Sequence, residues 1–177
     1  VELFPFSFRE YLQFKGAGIG KLTTQKKAEI LNHFDYYMRN GGFPEFHKSG
    51  DDEVLRRTYE DVLFRDIVAR YGIRDVKMFR QMARYVFSNF MKEASYHSLK
   101  NGLGIKSAMS VRSYAQYLEE AYLIFEMYNY QHSLKKRYAG TRKFFVVDNG
   151  MRNAVSFQFS GDWGRMLKNL VFLELKR

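Results

Sequence analysis

The sequence contains no cysteine. That excludes disulfide bonds and thiolate zinc sites, and makes a cytosolic home the simplest expectation. Histidine is scarce: four residues, at positions 33, 47, 97 and 132, none at the spacing by which metal ligands share a helix face or a short loop, so no metal site is expected. No apolar run approaches the roughly 20 residues that a membrane helix needs. The opening, Val1-Glu2-Leu3-Phe4-Pro5, has no initiator Met and no basic stretch followed by an apolar one, so it reads as neither a signal peptide nor a natural N-terminus. The close, Phe172-Leu173-Glu174-Leu175-Lys176-Arg177, stops inside an element. The chain is expected to be an internal piece of a longer protein.

What is present is a globular composition: 46% hydrophobic and 27% charged residues over 177 positions, enough to bury one good core or two small ones. The 17 Phe and 13 Tyr are numerous enough that some rings are expected at an interface with a missing part of the molecule. Against 19 acidic residues stand 29 Lys and Arg, a formal charge of +10. Such a balance favours polyanions, nucleic acid among them, or acidic protein surfaces; it speaks to association and not to fold.

Along the chain, Ser7 and Glu10 form a capping box that starts a helix over about 8–14. A glycine-rich loop, 16–20, follows. Thr24 is expected to cap a second helix over about 25–39, with Ala28, Leu31, Phe34 and Met38 inward; Gly41, Gly42 and Pro44 stop it. Asp51 or Asp52 starts a third helix with Val54, Leu55, Tyr59, Val62, Leu63 and Ile67 along one stripe, ended by Gly72. Asp75 caps a fourth, whose inner face carries Val76, Phe79, Ala83, Val86, Phe87 and Phe90. A short helix over about 96–103 meets the turn Gly104-Ile105-Lys106, and Ser107 caps the next helix, which runs to about 121 with Val111, Ala115, Leu118 and Tyr122 buried. Strands are expected over about 123–130 and 144–147, joined by a basic loop. Asp148 or Asn149 caps a short helix over 151–155, and a last amphipathic helix carries Trp163, Leu167, Leu170, Val171 and Leu173.

Three constellations bear on chemistry. Gly16-Ala17-Gly18-Ile19-Gly20-Lys21 looks like a phosphate loop but is not one. The first glycine position holds Lys15, the residue after Lys21 is Leu22 rather than Ser or Thr, and a helix precedes it where a buried strand is required. The stretch from Asp75 onward, three helices followed by a β-ribbon, has the order of a winged helix-turn-helix. In such a unit the helix after the tight turn enters the major groove and the ribbon touches phosphates. Its outward residues are Lys106, Ser110, Arg112, Ser113 and Gln116, hydrogen-bond formers suited to base edges. Five of the nine residues at the ribbon tip, 135–143, are cationic: Lys135, Lys136, Arg137, Arg142 and Lys143, suited to backbone phosphates. A unit of this kind also serves as a packing module between domains, and both readings stay open. The third constellation, Glu119 and Glu120, reads as helix surface with salt bridges to neighbouring turns, and Asp61, Asp66 and Asp75 as caps and surface charges.

Several stretches, taken in order, resemble a prokaryotic group of AAA-superfamily ATPases in which the ATPase core is followed by a winged helix and a restriction-endonuclease-like domain of unknown function. They are Leu3-Phe4-Pro5-Phe6-Ser7-Phe8-Arg9-Glu10-Tyr11-Leu12, Gly41-Gly42-Phe43-Pro44-Glu45, Arg65-Asp66-Ile67-Val68-Ala69-Arg70-Tyr71, Tyr117-Leu118-Glu119-Glu120-Ala121-Tyr122-Leu123-Ile124 and Phe145-Val146-Val147-Asp148-Asn149-Gly150. Residues 164–175 resemble the opening helix of the nuclease-like domain. The resemblance implies that the nucleotide-binding loop and the magnesium-binding acidic strand lie upstream of Val1, and the nuclease-like core downstream of Arg177. ATP and magnesium then belong to the parent, and this part holds no cofactor. Glu174 matches the group's helix glutamate, a possible nuclease-like carboxylate; Lys168 stands where the group has another Glu, and Asn149 where it has Thr.

Together these readings give a mainly helical α+β chain: a helical lid or linker region over 1–74, a winged helix-turn-helix with a two-stranded wing over 75–156, and the first helix of a truncated third domain over 157–177. The expected function is non-catalytic: coupling the nucleotide state of a missing ATPase core to a partner such as duplex DNA. The alternatives are a packing module without DNA binding, and part of a metal-dependent nuclease completed beyond Arg177.

Overall fold

A computed structural model describes residues 3–18, 20, 23–130, 132–133, 140–156 and 162–177. The chain is mainly helical, with one small three-stranded antiparallel sheet. Helix α1 (Phe8–Phe14) starts at the predicted box, with Ser7 Oγ accepting from the Glu10 amide and the Glu10 carboxylate accepting from the Ser7 amide. Helix α2 (Thr24–Asn40) is capped one residue earlier than expected, by Thr23. Gly41, at φ 69°, ends it in the left-handed region that a residue with a Cβ avoids. Pro44 does more than stop that helix. It stands at the first position of a short helix not anticipated from sequence, α3 (Pro44–Ser49), where its missing N–H costs nothing.

Asp51 caps α4 (Asp52–Asp61), which runs without a break through a π-helical stretch, Val62–Val68, into α5 (Ala69–Tyr71). Gly72 closes the run at φ 57°. Leu55, Tyr59, Leu63 and Ile67 are buried along it, as the stripe predicted. Helix α6 (Val76–Ser88), capped by Asp75, buries Phe79, Met82, Ala83, Val86 and Phe87. Next come β1 (Glu93–Ala94), α7 (Tyr96–Leu103), α8 (Ala108–Glu120), β2 (Ile124–Tyr128), β3 (Arg142–Val146), α9 (Asn149–Val155) and α10 (Trp163–Lys176).

The expected two-stranded wing is part of a sheet of three, in the order β1-β3-β2, with Glu93 opposite Lys143, Ala94 opposite Arg142, and Ile124 to Tyr128 opposite Val146 to Arg142. β1 escaped the sequence reading because two residues show no alternation. Its brevity leaves the outer edge of β3 short of partners, and side chains and turns complete it. The Met91 amide donates to the Phe144 carbonyl at 2.8 Å. The Asn169 side chain, reaching in from α10, accepts from the Val146 amide and donates to the Val146 carbonyl, both at 3.0 Å. One carboxamide thus replaces a missing strand residue, satisfying groups whose isolation would cost about 1–3 kcal/mol.

A single apolar core runs from Tyr11 and Met38 through Tyr59, Phe87 and Leu118 to Val146, Leu170 and Leu173. The three expected segments therefore share one core. They are stitched together at Asp148, Asn149 and Gly150. The buried Asp148 carboxylate caps α9 through the Met151 amide at 2.8 Å and accepts from the Gly42 amide at 2.7 Å. Asn149 donates to the carbonyls of Met38 and Met166, both at 3.1 Å, and accepts from Asn169. A Cβ on Gly150 would run into the Asn40 backbone, and one on Gly41 into the Asp148 carboxylate, so each position requires glycine for close approach. Two of the short stretches singled out in the sequence, at 41–45 and 145–150, thus meet in one buried polar junction.

Three apolar predictions failed. Tyr122 was expected in the core; it takes φ 57° at the α8–β2 corner and is nearly half exposed. On α10 the inward residues are Met166, Asn169, Leu170 and Leu173, whereas Trp163, Leu167 and Val171 are open to solvent. Ala28 and Leu31 of α2 are likewise exposed.

Candidate nucleic-acid interface

Helix α8 is presented by local chemistry that the sequence spells out. Gly104, at φ 69°, closes α7, and the Ile105 amide turns back onto the Lys100 carbonyl at 3.0 Å while its side chain is buried. Ser107 caps α8 by accepting from the Ser110 amide at 3.0 Å. Val111, Ala115 and Leu118 are buried and fix the helix's roll. That roll leaves Lys106, Arg112 and Gln116 exposed, with Ser110 and Ser113 half-buried beside them. Ser110, Arg112, Ser113 and Gln116 therefore lie away from the buried stripe of α8, and Lys106 in the turn before it.

Its members are not equally available. The Ser110 hydroxyl lies 2.9 Å from that of Ser107, and the Gln116 amide donates to Glu120 at 2.8 Å. Glu120 also accepts from the Tyr71 hydroxyl, and these bonds hold its carboxyl below the usual range, the Tyr71 bond foremost. A carboxylate thus borders the C-terminal end of this side and would repel a phosphate. Met109, two-thirds exposed, stands among the polar residues; sequence reasoning passed over it because it looked for donors and acceptors alone.

The ribbon departs further from expectation. Arg142, predicted to touch phosphates, is 1% exposed. Its guanidinium lies 3.5 Å from the Tyr96 ring centroid and 5.0 Å from that of Tyr128, donates to the Gly140 carbonyl at 3.1 Å, and pairs with Glu126 at 3.6 Å. The Tyr96 hydroxyl donates to both Glu126 oxygens at 3.0 Å, and the Glu126 amide donates to Glu119 at 2.9 Å. Burial pushes the Glu126 carboxyl up, with Tyr96 and Arg142 pulling it back. Arg142 is therefore a structural member of a cluster at the ribbon's base. The alternating register decides this: Arg142 faces Tyr128, while Lys143, on the opposite side, remains half-exposed. Lys143 pairs with Glu93 of β1 at 3.6 Å. Lys135, Lys136 and Arg137 lie outside the described residues.

At the far end, Glu174 is exposed on α10 and stands 3.7 Å from Arg177. Lys168 is also exposed. Among the described residues no group of three or more His, Asp or Glu converges as a metal-binding set, and no helix is long and apolar enough to cross a membrane. His47 is buried, its Nε2 2.9 Å from the Gly41 carbonyl oxygen, and burial pulls its pKa down.

Fold and surface thus define a mainly helical α+β protein that offers a cation-bearing helix beside a short antiparallel sheet. Residues 31–162 match the family described as a domain of unknown function, DUF8612, and the chain belongs to that family. It is similar to the uncharacterized protein MJ1544 of Methanocaldococcus jannaschii, 35% identical over 186 residues that take in 100% of this chain and 41% of the relative. It is also similar to an uncharacterized protein of Haemophilus influenzae, 25% identical over 186 residues, 100% of this chain and 44% of the relative. The chain spans about two fifths of the length of these curated relatives. No solved structure matches it.

Proposed function

We propose that the chain is a non-catalytic part of a larger AAA-type ATPase, in which the unit from α6 to β3 is a winged helix that couples nucleotide state to bound duplex DNA. The observation that carries the DNA-reading half is topological. Helix, short strand, helix, helix and two longer strands follow one another, and the sheet order is β1-β3-β2. In a winged helix this order sets the third helix outward as the reading element. Here that helix is α8, with Arg112 exposed on it and Lys106 exposed in the turn before it. The ATPase half rests on the resemblance of the short sequence stretches, which assigns nucleotide chemistry to residues upstream of this chain. The relatives' greater length leaves room for such a core.

In this reading Lys106, Arg112 and the sequence cations Lys135, Lys136 and Arg137 neutralise phosphates, while Ser110, Ser113 and Gln116 face bases. About five phosphate contacts give a salt slope near −4.5, so affinity falls roughly 500-fold between 50 and 200 mM salt. Fluorescence anisotropy with a labelled duplex at those two concentrations tests it. A steep loss with salt, and a further loss on changing Lys135, Lys136 and Arg137 to Ala, is the expected outcome. Weak binding at both concentrations would favour the second reading, a packing module, to which the engagement of Arg142, Lys143 and Gln116 within the protein lends support. A nuclease reading rests on the resemblance of residues 164–175, Glu174 among them, and on completion beyond Arg177; no group among the described residues adds support to it.

A further inference from the structure

The π-helical stretch has no part in the reading above, and it changes which residues meet. In an α-helix, positions five apart diverge by roughly 140°. Here the Ala69 amide bonds the Phe64 carbonyl, five residues back, so side chains at that spacing come round to one side. Arg65 and Arg70 stand at that spacing, and both line one cleft of about 590 Å³ with Val62, Asp66, Ala69, Tyr71 and Ala121. The volume suits a small ligand rather than a length of polymer.

The charges within reach are uneven. Arg65 has Asp66 at 3.7 Å, but both side chains are more than half exposed, and a pair of that kind contributes little. Tyr71 gives its hydroxyl proton to Glu120, and Arg70 bears electrostatically on both groups. The Tyr71 ring is in turn stacked on Tyr117 at 3.9 Å, so one wall of the cleft is held in place. Glu120 is already occupied by Tyr71 and Gln116. Two guanidiniums beside Val62, Ala69 and Ala121 thus stand within reach of two carboxylates, Asp66, which is loosely paired, and Glu120, whose oxygens are taken by Tyr71 and Gln116 and whose charge a bound anion must outweigh through both forks. A ligand carboxylate, satisfied by a single fork, would offer little that Asp66 does not. A phosphoryl group carries nearly two charges and enough oxygens for both forks.

We propose that this cleft binds the phosphoryl group of a small phosphorylated ligand, bridged between Arg65 and Arg70. The site is independent of the DNA reading and lies at the C-terminal end of α8. Inorganic phosphate is the probe, titrated into the ¹⁵N-labelled chain at fixed ionic strength, with succinate as the carboxylate control. The expected result is a saturable single-site shift of the Arg65 and Arg70 side-chain signals and the Ala121 amide, absent with succinate. Affinity should fall at least tenfold in Arg65→Ala and in Arg70→Ala. It should also fall in Ala69→Phe, which fills the cleft without removing a charge, and hold in Arg112→Ala. No saturable shift, an equal response to succinate, binding that survives both arginine substitutions, or loss on Arg112→Ala would each overturn the assignment.

Discussion

Arg112 and Arg142 carry the same charge and were assigned the same partner from sequence, yet they end in opposite environments. Arg112 lies open on α8, while Arg142 is enclosed by Tyr96, Tyr128 and Glu126 at the ribbon's base. The contrast shows that the surplus of cations overstates what a partner meets. Some of the basic residues are spent inside the fold. Arg152 repeats the lesson, buried against Asp162 with its guanidinium pulled down to about 10 by burial and by Arg165. A basic composition therefore supports polyanion binding only through the residues that the fold leaves outside.

The sharpest way to break the contrast is Arg142→Ala. It leaves the buried Glu126 carboxylate without its cation, though still bonded to Tyr96, and is expected to cost about 3–5 kcal/mol in urea unfolding. Changing both residues of the pair to Met should recover most of that loss, and a cost under about 1 kcal/mol for the single change would remove the distinction between the two arginines. A second test concerns Asp148, the acid of the buried junction, which burial holds up to about 6, against an ordinary 3.8. An acid raised on folding contributes most below its unfolded value, and that contribution is lost as pH rises through the folded one. The difference is worth about 3 kcal/mol. The stability of the wild type relative to Asp148→Asn should accordingly decline by roughly 2–2.5 kcal/mol between pH 4 and pH 7; a flat difference would mean the carboxyl titrates as it does in the unfolded chain. The smallest effect belongs to the exposed arginine. Arg112→Ala should leave the unfolding free energy within about 0.5 kcal/mol, while weakening duplex binding in the anisotropy measurement.

Much of the fold could be read from short-range chemistry. Ser7 with Glu10, Asp75, Ser107 and Asp148 each cap the helix assigned to them, and Gly72 and Gly104 end theirs in the left-handed conformation. These devices act over three or four residues, so the sequence displays them whole. The outward side of α8 was legible for the same reason, since Val111, Ala115 and Leu118 set its phase. Features that depend on distant partners were not legible. β1 exists because β3 lies beside it, α10 turns its Asn169 inward because the edge of β3 needs a donor and an acceptor, and Ala28 and Leu31 stay exposed because no element among the described residues covers them.

The sequence by itself determined where helices begin and end, which faces are apolar, and the excess of positive charge, because caps, periodicity and composition are local or additive. The tertiary structure decided which cations reach solvent, which two short stretches meet at Asp148, and that Arg65 and Arg70 line one cleft. Those outcomes depend on strand register, on helix winding and on the approach of glycines to distant backbone. Each of these is a relation between segments far apart in the chain, or a winding that no residue type announces.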